Sequence, residues 1–94
     1  MSVMKDKAKG ILKEIEKELF MAEKDMQPFE EKMARGEELT DKEFMKRNTL
    51  DFRRGDISRT ADAFAEFIEE LGIMTAMEIQ WYRTTVKEGL RKND

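Results

Sequence analysis

The chain has 94 residues, 41% of them charged and 39% hydrophobic, with a net charge of −3 and neither histidine nor cysteine. That length suits one domain, and the missing imidazoles and thiols exclude a self-made zinc, haem or iron–sulfur site, a Ser-His or Cys-His nucleophile and a disulfide framework. The balance of charge argues against nucleic acid as the main partner, and it is too mild and too mixed in sign for a mimic of DNA.

No apolar run approaches the 18 or so residues that span a bilayer, and the opening MSVMKDKAKG lacks the apolar stretch of a secretory signal. No membrane and a cytoplasmic location are therefore expected. Five scattered glycines match no phosphate-binding loop, so no cofactor is expected. An enzyme would have to work with carboxylates, Lys, Arg or Tyr82. Glu66 and Glu78 are the carboxylates nearest an apolar stripe, and a capping role already accounts for Glu78. The expectation is a non-catalytic protein.

The first segment carries the clearest pattern. Met4, Ala8, Ile11, Ile15, Leu19, Ala22, Met26, Phe29 and Met33 recur at spacings of three and four, which predicts a helix near 4–35. The stripe keeps its phase across Pro28, where a kink or a stop and restart is expected. Gly36 offers a left-handed C-terminal cap. Phe20 falls off the stripe among Lys13, Lys17 and Lys24. Lys5, Lys9, Lys13 and Lys17 form a ladder four residues apart; such a row is ordinarily a solvated face, and Lys13 and Lys17 are candidates to meet an acidic partner.

The next helix start is LTDKEF. Thr40 caps, Glu43 returns the bond to the Thr40 amide, and Leu39 and Phe44 sit at the two positions of a hydrophobic staple. This predicts a helix near 41–54. Residues 42–59 also carry six basic groups against three acidic ones. At Arg53-Arg54-Gly55-Asp56 the apolar pattern changes phase. Phe44, Met45 and Phe52 before it lie nearly opposite Ile57, Ala61, Phe64 and Ile68 after it, if the helix is continuous. With both stripes covered, either the chain turns there with Asp56 as the new cap, or one long helix bridges two subunits. A hinge is expected, not the exposed recognition loop that Arg-Gly-Asp suggests. Only with a turn would Arg53 and Arg54 grip one anion between them; solubility and pairing with Asp51 and Asp56 is the plainer role.

A third helix is predicted near 57–71 and a fourth near 76–90. Between them Gly72 sits at a Schellman position, Thr75 caps, Glu78 returns the bond, and Met74 faces Ile79. An unbroken helix from 57 to 90 would also keep its apolar phase, since a glycine inside a helix costs only about 1 kcal/mol, but three independent signals favour a break. Met77 and Trp81 fall one turn apart, opposite the stripe of Ile79, Tyr82, Val86 and Leu90. A helix with two apolar faces is covered on both, and Trp and Met are favoured at contacts.

FIEELGIMTAMEIQWYR resembles the helix-turn-helix of bacterial DNA-binding regulators, with a Leu-Gly-Ile turn, a capped second helix, and Arg83 after Trp81. The resemblance implies DNA binding through residues 64–90. It departs from the pattern at bulky Ile68, at Ile79, which falls one residue late, and at Glu69, Glu70 and Glu78, which phosphates would repel.

The sequence thus predicts an all-α fold: a small three- or four-helix bundle or an extended helical hairpin, oligomeric. It predicts a cytoplasmic protein–protein interaction module that self-associates and binds a protein partner. Phe20, Met77 and Trp81 are the expected contacts, and Arg53, Arg54, Lys13 and Lys17 the expected anion or acidic-partner set. DNA binding, and binding of a small ligand or anion across an oligomer interface, are the alternatives.

Overall fold

In the computed structural model, residues 2–93 are described, and they form three helices: α1 (Val3–Ala34), α2 (Asp41–Glu70) and α3 (Ala76–Lys92). The ends follow the local chemistry. Thr40 and Thr75 each accept from the amide three residues on, and Glu43 and Glu78 each accept from the capping residue's own amide, completing two capping boxes. Gly36 has φ 77 and Gly72 φ 71, the left-handed conformation that other residues adopt only at a cost. Paired bonds close both ends: Glu37 N to Lys32 O with Gly36 N to Met33 O, and Ile73 N to Ile68 O with Gly72 N to Glu69 O. Both are the 6→1 and 5→2 pairs of a Schellman ending. The chain therefore breaks at 71–75, as the stop and start signals there require.

Two boundaries differ from expectation. Pro28 lies inside α1, at an exposed position, so of the kink or the stop and restart expected there, the stop and restart does not occur. More consequentially, Arg54–Asp56 is not a hinge, and the two helices expected near 41–54 and 57–71 are one. A turn would be needed only if both apolar stripes of this segment were covered. Phe44, Met45 and Phe52 are instead exposed, so nothing obliges the chain to reverse. Ion pairs Arg54–Asp51 and Arg59–Asp56 flank Gly55 along the helix, and the Arg59 guanidinium lies over the glycine, within 3.4 Å of where a Cβ would stand.

α1 and α2 form an antiparallel hairpin, tied near its loop by Lys32–Glu43 at 2.9 Å and Arg47–Glu30 at 3.5 Å. α3 runs parallel to α1 and packs chiefly on it, with Lys5 bonded to Glu78 and Glu16 bonded to Arg83 further along. The main core lies at this end, where Ala8, Leu12, Ile68, Met74 and Ile79 are buried, and half-buried Phe64, Ala65, Ile73 and Tyr82 close around them. The molecule is long, 52 × 25 × 17 Å, with a radius of gyration of 16.2 Å. A compact chain of this length would have about 12 Å. Among the described residues no helix is long and apolar enough to cross a membrane.

Candidate interaction surfaces

The burial of α1 does not follow its apolar stripe. Leu12 is fully buried and Glu16 is 1% exposed, whereas Met4, Ile11 and Met33, all on the stripe, are exposed. In the first half of the helix the covered strip is rotated by about 50° from the apolar one. That rotation brings Glu16 under α3. There Arg83 Nε donates to Glu16 Oε1 at 2.6 Å and Arg83 Nη1 to Asp62 Oδ1 at 3.3 Å, so one guanidinium links all three helices. Lys87 Nζ stands 3.8 Å from Glu16 Oε2, which has no hydrogen-bond partner among the described residues.

A buried carboxylate is tolerable only when paired. Burial pulls the Arg83 pKa down, but the hydrogen bonds and charges of Glu16 and Asp62 outweigh it and hold the guanidinium above its ordinary value, because both stabilise the charged form. The sequence reading missed Leu12, Glu16 and the inward role of Arg83. One signal was available: Arg83 follows buried Ile79 by four residues and so shares its inward face. Arg83 is the cation that the helix-turn-helix resemblance would place on DNA, and it is committed inside the molecule.

The lysine ladder is divided. Lys5 donates to Glu78 at 2.7 Å and Lys9 lies over the Tyr82 ring at 5.6 Å. The ion pair and the cation–π contact both bind α1 to α3. Lys17 pairs with Glu14 at 3.6 Å and Lys13 is exposed, so only the last two rungs face solvent. Glu78 is held down to about 2, first by the Lys5 hydrogen bond and then by the Thr75 amide. Glu43 is held down to about 2 chiefly by the Thr40 amide, with Lys32 adding to it. Each cap carboxylate is thus also an anchor for a lysine of α1.

Arg53 and Arg54 do not act together. On a continuous helix they point about 100° apart. Arg54 pairs with Asp51 and borders a groove with Glu23 and Glu30, while Arg53 stands exposed on the other flank. The shared grip on one anion needed the turn, and falls with it.

Of the expected contact residues, Phe20 is half-buried beside Lys87 and Arg91 at the far end of α3. Met77 and Trp81 lie on a different surface, the outer face of α3, 83% and 69% exposed. The structure therefore separates Phe20 from this pair. Two further apolar areas are uncovered: Phe44, Met45 and Phe52 on the outer side of α2, and Met4 with Ile11 on the open side of α1. The chain as a whole has 7000 Å² of accessible surface. The size relation for compact monomers gives about 5700 Å² at this mass, which leaves a surplus of about 1300 Å².

Comparison with known protein families, with characterised proteins and with solved structures finds no match for this chain.

Proposed function

We propose that this chain is a non-catalytic interaction module that self-associates and holds a protein partner through its helix faces, in the manner of an adaptor, an inhibitor or a regulatory subunit. The observation that carries this reading is the outer face of α3. Ile79 and Tyr82 already fill the inner face, yet Met77 and Trp81 stand outward and largely exposed. An indole is among the residue types that dominate binding energy when a partner excludes water from it, and methionine is enriched at such contacts. Of the cationic side chains of α3, Arg83 and Lys87 are turned toward Glu16, while Arg91 and Lys92 lie in its last turn, away from Met77 and Trp81.

Trp81 is the only tryptophan, so its fluorescence reports its own cover. In dilute solution its emission is expected at the solvent-exposed, long-wavelength limit, and partner binding moves it to the blue. Trp81→Ala should leave helical content unchanged and weaken partner binding by about thirtyfold or more. Sedimentation should show a species heavier than one chain; a monomer at high micromolar concentration contradicts the self-association.

A further inference from the structure

We propose that a second copy of this chain docks on the open side of α1, the two α1 helices crossing antiparallel at Gly10 and Ile11. The inference rests on the self-association proposed above and names its surface.

Three observations meet there. The first is the groove itself, about 490 Å³, whose walls are Lys7, Gly10, Ile11, Glu14, Ile15 and Glu18, all from α1. It lies on the flank from which the covered strip of α1 has rotated away, so Ile11, 47% exposed, belongs to the apolar stripe but not to the core. α3 occupies the other flank through Lys5, Lys9 and Glu16. On α2 and its C-cap, Phe67 and Leu71 lie about 140° and about 180° around the helix from Asp62, which reaches α3, and both are exposed. The open face of the hairpin is therefore apolar on both helices at this end.

The second is Gly10. A glycine inside a helix costs about 1 kcal/mol relative to alanine. Nothing among the described residues requires this one: beyond its chain neighbours and its own helix backbone, a Cβ there would meet no atom within 4 Å, and its φ is not left-handed. A missing side chain in the floor of an apolar groove lets another backbone approach closely.

The third is charge. Lys7 and Glu14 lie on the same wall, one turn to either side of the midpoint between Gly10 and Ile11. A two-fold axis through that midpoint makes the interface isologous, so that each contact occurs twice. It sets Lys7 of one copy against Glu14 of the other, in two symmetric pairs. Lys7 has no ion pair among the described residues, and Glu14 has only its exposed neighbour Lys17 at 3.6 Å. A parallel crossing would instead oppose Lys7 to Lys7 and Glu14 to Glu14. The surplus of exposed surface exceeds the roughly 800 Å² per partner that a standard interface buries.

The chain has no cysteine, so single cysteines can map the crossing. Ile11→Cys, which leaves Gly10 in place beside the two-fold axis, is expected to form a disulfide-linked dimer under mild oxidation, and Trp81→Cys is not. Lys7→Glu and Glu14→Lys should each weaken the dimer about tenfold in sedimentation, and the double exchange should restore it, with helical content constant throughout. If the chain dimerises but Trp81→Cys links and Ile11→Cys does not, or the charge exchanges are silent, this surface is wrong while self-association stands. A monomer at every concentration overturns both.

Discussion

The two ends of the molecule are built on the same local chemistry and differ in what covers it. Each end has a Schellman glycine, a Thr-x-x-Glu box and a lysine of α1 on the box glutamate. At the α3 end three helices meet, and Leu12, Ile68, Met74 and Ile79 are buried. At the hairpin tip two helices meet, no residue of α2 before Ala61 is buried, and Phe52 is 71% exposed. Caps and turns therefore decide where helices begin and end, while the number of layers decides how much apolar surface leaves water.

The largest difference should come from the charged link at the thick end. Glu16→Ala leaves Arg83 facing inward without its main partner, and should cost about 3–5 kcal/mol in urea denaturation. Replacing both, Glu16→Leu with Arg83→Met, should recover most of it, because the cost is an unpaired buried charge and not a lost attraction. Leu12 is fully buried, and Leu12→Ala should cost about 2–5 kcal/mol. Phe52→Ala at the tip should fall within about 0.5 kcal/mol of zero. An equal cost at the two sites would erase the contrast between the ends.

Thr75→Ala and Thr40→Ala should each cost about 1 kcal/mol. The smallest effect is the acid response. Glu43 and Glu78 are lowered from 4.5 to about 2. The stability they contribute is therefore full above pH 4.5 and is lost as pH falls toward 2, since the unfolded chain takes up those protons first. Thermal melts of Glu43→Gln and Glu78→Gln should each show a weaker fall across that window than the parent chain.

Much of the backbone is legible in the sequence. Gly36, Gly72 and the two capping boxes act through neighbours three to six residues away, so their chemistry is complete within a short window. The hinge expected at Gly55 fails because periodicity shows which side chains are apolar, not which are covered. The same limit hides Glu16, whose place in the core depends on Arg83, 67 residues along the chain. Met77 and Trp81 are readable as a second face, and they lie on the outer side of α3, uncovered within one chain. Phe20 joins them by polarity alone, and the structure puts it elsewhere.

The claim that this chain self-associates through the open side of α1 is tested most directly by X-ray scattering in solution over a concentration series. A particle of twice the chain mass, with a radius of gyration well above 16.2 Å and a longest dimension beyond the 52 Å of one chain, is the expected result. A particle of one chain mass at all concentrations, with a radius of gyration near 16.2 Å, would contradict it.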